Sequence, residues 1–347
     1  MINLGIVGLG HWGCRHAESA AATGRFRVVR ATARRPEAVR EFASARSIEL
    51  SPTIEELLAD PDVQAVSIAT PHSMHAAQVI QTARAGKHVL AEKPFALCKA
   101  DAEAAVAACV KAGVAITVGH DNRYYPAISE IRRTIDSGAL GTLLHVEANL
   151  SHDGMKQAVQ RAQSGDAAEG PRLAPDAWRL QRDEAPCGSI VHLGVHRIDT
   201  FVQLFGRIDR VFAQGSRAVL NTPFADSASL LFHFRKGMTG YLSSSLATPL
   251  HSHMNLFGTE GWILASGPTD STEYRRGNLT SLRIRSGAEI FTRECGGIDS
   301  VRETFNAFAD AIEGRNSAIV PHEEIIHVVE VLEAAARSMQ SGSAVDL

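Results

Sequence analysis

The sequence predicts an α/β protein in two parts: a parallel sheet covered by helices, then an α/β domain built on an open, mostly antiparallel sheet. Three observations lead there. Up to residue 119, short apolar runs alternate with helix-compatible segments, the pattern of right-handed βαβ units. From residue 211 to about 293 the texture changes to β-rich segments separated by glycine-containing turns. The length, 347 residues, is somewhat over twice the ~150 residues taken as one domain. The division is placed at 1–123 and 124–347.

In order, Ile2 to Val7 is an apolar run ended by Gly8, and a helix follows from His11 to Ala22. Phe26 to Ala33 reads as a strand, Pro36 to Ala45 as a helix, Ala65 to Ala69 as a strand and Met74 to Ala85 as a helix closed by Gly86. His88 to Ala91, Lys99 to Ala112 and Val114 to Gly119 repeat the strand, helix, strand sequence. Beyond that, Pro126 to Ser137 is a helix and Leu143 to Leu150 a strand, while the polar stretch 152 to 177 reads as a long excursion of the kind that often carries function. Ser189 to Phe205 is a helix. Strands are expected at Ser229 to Phe234, Thr239 to Leu246, Met254 to Phe257 and Leu282 to Arg285, and helices at Val301 to Glu313 and Glu323 to Met339.

Composition narrows the function classes. With 45% hydrophobic and 21% charged residues the chain reads as globular, and a net charge of −3 argues against a nucleic-acid partner. Five cysteines (Cys14, Cys98, Cys109, Cys187, Cys295) without a CxxC pair are expected as reduced thiols. No run approaches ~18 apolar residues, and the start lacks the features of a signal peptide, so a cytoplasmic protein without membrane association is expected.

Gly8-Leu9-Gly10-His11-Trp12-Gly13 fits G-x-G-x-x-G directly after a strand and at the opening of a helix, the context that gives this pattern meaning. The first glycine permits the tight turn, the second lets backbone approach a pyrophosphate, and the third lets helix pack on strand. The helix N-terminus turns oriented N–H groups toward the anion. The first domain is therefore read as a Rossmann domain. An NAD site expects an Asp or Glu about 20 residues on, at the end of the second strand. That end reads Ala31-Thr32-Ala33-Arg34-Arg35. An arginine binds a 2′-phosphate through charge-assisted hydrogen bonds of about 1.5–3 kcal/mol each, where a carboxylate would repel it. NADP(H) is expected over NAD(H), with Arg34 and Arg35 at the phosphate.

Val89-Leu90-Ala91-Glu92-Lys93-Pro94 ends another strand with a charged pair before proline. Loops at the carboxyl ends of parallel strands form the ligand crevice, and a partly desolvated lysine there can hydrogen-bond a substrate hydroxyl or carbonyl.

These residues, with others in order along the chain, carry a resemblance. They are the glycine turn, Ile68-Ala69-Thr70-Pro71 with His75, Ala91-Glu92-Lys93-Pro94, Asn122-Arg123 and Ser137-Gly138-Ala139-Leu140-Gly141. Trp178-Arg179, Gly194-Val195-His196-Arg197-Ile198-Asp199, Phe257-Gly258-Thr259-Glu260-Gly261 and Phe308-Ala309-Asp310-Ala311-Ile312 follow. Over essentially its whole length the chain resembles the Gfo/Idh/MocA oxidoreductases, named for glucose-fructose oxidoreductase, inositol dehydrogenase and a rhizopine-catabolism protein. The resemblance implies a homodimer or homotetramer formed through the open sheet, with the nicotinamide meeting a sugar, polyol or related carbonyl compound at the junction of the domains. By position it implies that Leu9, Gly10, His11 and Trp12 line the pyrophosphate and that Ala33 and Arg34 meet the adenosine ribose. Thr70, Pro71, His72 and His75 would flank the nicotinamide, Glu92 and Lys93 the nicotinamide and substrate, and Asn122, Trp178 and Arg179 would be cofactor neighbours.

On the Ser189 to Phe205 helix, Val191, Val195, Ile198, Val202 and Phe205 form an apolar stripe. Beside it His192, His196, Asp199 and Gln203, spaced four, three and four apart, share one face. Relatives usually carry an Asp where this chain has His192. A histidine cannot supply that fixed negative charge at neutral pH, and two close histidines couple their titrations. His196 is expected as the acid/base that exchanges a proton with the substrate oxygen, Lys93 as its partner on that oxygen, and His192 as a substrate-orienting or proton-relay residue. The same spacing with Asp199 fits a metal ion as the weaker reading, and no metal is expected. Asp199 is read instead as a helix or domain contact. His251 and His253, two apart in a β segment, should face the same side. His120, Asp121, Arg123, Tyr124 and Tyr125 follow a strand end, and of these Arg123 and Tyr125 are expected at the substrate.

The expected function is that of an NADP-dependent oxidoreductase interconverting a secondary alcohol and a ketone on a sugar, inositol or related small molecule. Two alternatives stay open: a nicotinamide-dependent enzyme that cleaves or epimerises glycosides without net redox change, and a catalytically silent cofactor-sensing regulator.

Overall fold

The computed structural model describes residues 1–164, 177–268, 279–315 and 317–347. The chain divides into two compact units, Met1–Asp121 with Asp299–Val329, and Asn122–Ile298 with Glu330–Leu347.

The first unit holds strands β1 (Ile2–Val7), β2 (Phe26–Thr32), β3 (Glu49–Leu50), β4 (Ala65–Ile68), β5 (His88–Ala91) and β6 (Ile116–Val118) in one sheet of order β3-β2-β1-β4-β5-β6. Every pair in it is parallel. Helices α1 (His11–Ala22), α2 (Arg40–Ala45), α3 (Ile54–Ala59), α4 (His75–Arg84) and α5 (Lys99–Ala112) make the crossovers. The strand order turns outward in both directions from β1 and β4, so their carboxyl ends bound the crevice where a parallel sheet takes its ligand. Both faces are covered, which explains the unbroken burial along β4 and from Leu4 to Val7 of β1. Leu4 and Ile6 join one core with Phe26, Phe305 and Phe308, while Val7 and Ile68 join the other with Val79, Val106 and Ile325.

Phe305 and Phe308 belong to helix α9 (Ser300–Ile312), and Ile325 to helix α10 (His322–Ser341). The boundary expected at 123/124 put all of this segment in the second part. The apolar faces of α9 and the first turns of α10 instead return to complete the cores of the first sheet.

The second unit contains helix α6 (Pro126–Asp136), strand β7 (Leu143–Ser151), helix α7 (Gly154–Ser164) and helix α8 (Val195–Phe205). Strands β8 (Ile208–Ser216), β9 (Ser227–Phe234), β10 (Thr239–Ser245), β11 (His251–Gly258), β12 (Gly261–Ser266), β13 (Ser281–Ser286), β14 (Glu289–Glu294) and β15 (Val345–Asp346) follow. Among the described residues they form one sheet of order β14-β13-β12-β11-β7-β10-β9-β8-β15, antiparallel except for β7 with β10. Alternation is clear on β9, where Ala228, Leu230, Phe232 and Phe234 are buried and the residues between them are not. Phe201 of α8 meets Phe232 and Phe234 edge-on at 5.9 and 6.2 Å.

Two expectations change here. The excursion at 152 to 177 begins as a helix, α7, whose Met155 and Ala158 are buried; 165–176 lie outside the described residues. The helix expected from Ser189 opens as a π-turn over Ile190–Gly194 before α8 begins.

Candidate active site

β1 delivers the chain into Gly8, whose φ of +95° lies in the left-handed region. Gly13 is glycine for another reason: a Cβ there would stand 2.2 Å from the Gly8 carbonyl oxygen, so only glycine lets α1 sit against the turn. At Gly10 an added Cβ meets nothing within 4 Å. No protein contact demands glycine at that point, as befits a place where a ligand approaches backbone. α1 begins there with no side-chain cap and no acidic residue in its first turn, leaving its first amides to an anion. Leu9 plays a different part from its neighbours. Its side chain is buried and its N–H donates to Thr32 O at 2.7 Å, anchoring the turn to the end of β2, while Gly10 and His11 are exposed and Trp12 is partly so. Past Thr32, Ala33 is partly buried and Arg34 and Arg35 are exposed. The turn and the uncapped helix suit the pyrophosphate of a dinucleotide.

His16, three residues past Gly13, is a site residue that sequence reasoning missed. Its ring is buried, with Nδ1 2.7 Å from Ser67 Oγ on β4 and Nε2 2.8 Å from Glu92 Oε1 after β5. The helix that opens on the glycine turn is thereby tied to the Glu92-Lys93 loop. Burial pushes the Glu92 carboxyl up, but the His16 hydrogen bond and the charges of His16, Lys93 and His75 outweigh it and hold the group below its ordinary value. The other Glu92 oxygen accepts the Lys93 N–H at 3.1 Å, and the Lys93 side chain is partly exposed. The signal for His16 was its position on the inward face of α1, one turn beyond Gly13.

His75 has no exposed surface. Its Nδ1 lies 2.8 Å from Pro94 O and its Nε2 2.9 Å from Thr70 O, so the ring stitches the loop after β4 to the loop after β5. A ring with one proton donates to one of these carbonyls; an imidazolium donates to both. Thr70 Oγ1 donates to Gln78 Oε1 at 2.6 Å, and His72 is buried next to Pro71, edge-on to His75 at 5.9 Å. Asp121, in the short turn Asp121–Tyr124 after β6, accepts a 2.6 Å hydrogen bond from Ser300 Oγ. Burial pushes its carboxyl up to about 6; Glu92 adds to the rise, and the Ser300 bond and Lys93 oppose it.

In the second unit, Asn122, Arg123 and Tyr125 are all buried. Arg123 Nε lies 3.0 and 2.9 Å from the two Asp199 oxygens, and Nη2 lies 2.5 Å from Oδ1. This bidentate pair fixes the turn on α8. Arg123 and Tyr125 were expected at the substrate, yet the Arg123 guanidinium is held by Asp199 and Tyr125 has no exposed surface. The cause is α6, whose buried Ala127, Ile128 and Ile131 carry the preceding turn into the interior. Tyr125 neighbours buried Arg197, whose Nη2 donates to Ser252 Oγ at 2.7 Å and whose guanidinium burial pulls down to about 10.

From Ser189 to Val202 every residue is buried except two, His192 and His196. The π-turn that precedes α8 widens the spacing expected of a plain α-helix, and such turns recur at functional sites. The His192 ring lies 5.6 Å from Phe224, tilted against it. Trp178 and Arg179 share a short turn, both partly exposed, with the guanidinium 4.1 Å over the indole. On β11, His251 Nε2 and His253 Nδ1 are 2.9 Å apart on the same side of the sheet.

Residues 2–120 match the Gfo/Idh/MocA family model described as an oxidoreductase family with an NAD-binding Rossmann fold, and residues 128–264 match the Gfo/Idh/MocA C-terminal domain. The chain belongs to the Gfo/Idh/MocA oxidoreductase family. As a member it is an NAD(P)-dependent oxidoreductase. It is similar to the 1,5-anhydro-D-fructose reductase of Ensifer adhaerens, 28% identical over 310 residues that cover 88% of this chain and 86% of that protein. It is also similar to the D-xylose 1-dehydrogenase (NADP(+)) 2 of Haloferax volcanii, 27% identical over 293 residues, 84% of this chain and 83% of that one. A putative NADPH-dependent oxidoreductase from Desulfitobacterium hafniense shares the fold, with a TM-score of 0.85 over 99% of this chain and 97% of its own at 24% identity. Among the described residues no helix is long and apolar enough to cross a membrane.

Proposed function

We propose that this family member interconverts a secondary alcohol and a ketone on a sugar, inositol or related small molecule, using NADP(H) in preference to NAD(H), as a homodimer or homotetramer formed through its open sheet. The observation that carries the reading is the stretch from Ser189 to Val202, where burial spares only His192 and His196. The sugar substrates named for the Ensifer and Haloferax relatives support the substrate class.

The nicotinamide, when bound, supplies or accepts the hydride. The amides of His11 and Trp12 would hold the pyrophosphate beside Gly10, whose own N–H donates to Gly8 O at 2.8 Å; Ala33 would adjoin the ribose, and Arg34 and Arg35 would take the 2′-phosphate. Asn122, Trp178 and Arg179 are cofactor neighbours. Lys93 donates a hydrogen bond to the substrate oxygen, on a loop held in place by Glu92 and His16. His196 gives that oxygen a proton as the ketone is reduced and takes one as the alcohol is oxidised, and His192 orients the substrate or relays the proton. Thr70 and Pro71 line the nicotinamide side, and His75 keeps their loop in register with Pro94.

The test is a steady-state assay with both cofactors over a panel of polyols, sugars and ketoses. Net formation or consumption of NADPH is expected, with kcat/KM at least about tenfold higher than with NAD(H), since one phosphate contact of about 1.5 kcal/mol corresponds to that factor. Equal efficiency with both cofactors would remove the NADP preference. Cofactor binding without turnover across the panel would favour a regulator, and turnover without net change in NADPH would favour a transient redox cycle.

A further inference from the structure

We propose that Asp121 is a positioning residue for Lys93: its carboxylate, tethered from α9 by Ser300, is a second counter-charge, beside Glu92, that helps keep the Lys93 ammonium protonated. The proposal rests on Lys93 being a proton partner of the substrate oxygen, and it adds a residue that the mechanism above does not use.

Three observations carry it. β5 and β6 are neighbours in register, with Ala91 opposite Val118 and the Gly119 N–H donating to Ala91 O at 2.9 Å. The chain leaving β5 as Glu92-Lys93 and the chain leaving β6 toward Asp121 therefore emerge side by side at the carboxyl edge of the sheet. The approach is close, since a Cβ on Gly119 would stand 3.0 Å from Glu92 Oε1. Second, Ser300 is buried at the first position of α9 and donates to Asp121 Oδ2 at 2.6 Å. Its helix start is itself fixed, because Asp299 accepts the Arg302 N–H at 3.2 Å and pairs with Arg15 at 2.7 Å. Third, the charges that bear on Asp121 are the two of the β5 loop: Glu92 opposes its ionisation and Lys93 favours it. Lys93 acts on Glu92 as well, but the Glu92 charge is shared with His16 and His75, so Asp121 adds a second anion to the surroundings of Lys93. Interaction between charges is mutual, so an ionised Asp121 holds the proton on Lys93. With its carboxyl up at about 6, it does so at neutral pH and ceases to in mild acid.

The experiment is competitive labelling of the Lys93 amine with acetic anhydride as a function of pH, read by mass spectrometry on the full chain, together with the pH profile of kcat/KM. Asp121→Asn is expected to move the Lys93 labelling curve down by about one pH unit, and the alkaline limb of kcat/KM with it. Ser300→Ala, which keeps the carboxylate and removes its tether, shifts both in the same direction by less. A Lys93 labelling curve unchanged in Asp121→Asn overturns the proposal. A shifted labelling curve with an unchanged kcat/KM profile supports the charge coupling and overturns the role of Lys93 in turnover.

Discussion

Arg34 and Arg35 stand exposed at the end of β2, where an NAD site would carry a carboxylate. Replacing both with alanine is expected to lower kcat/KM for NADP by about tenfold or more while leaving NAD unchanged, measured by steady-state kinetics with each cofactor. His196→Ala is expected to lose about 10²- to 10⁴-fold in kcat, the usual worth of a positioned acid/base; near-complete retention would sink the assignment. Asp121 also makes a stability statement. Its carboxyl is raised from 3.8 to about 6 on folding, so the folded state binds that proton more tightly. The contribution is full below the unfolded value and is lost as pH rises through about 6. Urea unfolding should therefore show Asp121→Asn gaining on the parent between pH 4 and pH 7, and a difference that falls over that range would contradict the sign. At this scale Glu92, Lys93 and His196 were singled out as candidates by residue type and place on a motif. His16 and Ser300 were not, because the partners that give them meaning lie 76 and 179 residues away.

The glycine turn is the element the sequence describes most fully, and its three glycines separate by the reason each is needed. Gly13→Ala must push α1 off the Gly8 carbonyl, so a loss of about 1–3 kcal/mol in chemical unfolding is expected, with weaker cofactor binding. Gly10→Ala meets no protein atom, so stability should stay within about 0.5 kcal/mol while NADP affinity falls; equal damage to stability from both would refute the distinction. The helix at 189 to 205 was legible in its buried stripe but not in its first turn. An apolar pattern reports which side faces the core, and residues 190 and 191 remain buried with either hydrogen-bond spacing. α7 was hidden by its polarity, and β3 and β15, at two residues each, are too short to show any period.

At the scale of the molecule, the two kinds of sheet and their order were readable from periodicity, whereas the return of 299–329 to the first unit was not. Nothing local marks which sheet an amphipathic helix will cover. Phe308, without exposed surface in the core shared by β1 and β2, makes the consequence testable: Phe308→Ala should cost about 3–5 kcal/mol, and the loss should appear as lower hydrogen-exchange protection in β1 and β2. Protection lost only in the sheet of the second unit would contradict the assignment of α9. The central claim is hydride exchange with a carbinol carbon, and it is tested most directly by incubating the protein with NADPH carrying deuterium at both C4 positions and the ketose it turns over best. One deuterium per molecule on the new carbinol carbon, with an equal amount of NADP⁺ formed, is the predicted result; product without deuterium, or no product and no NADP⁺ from any ketose tried, would contradict it.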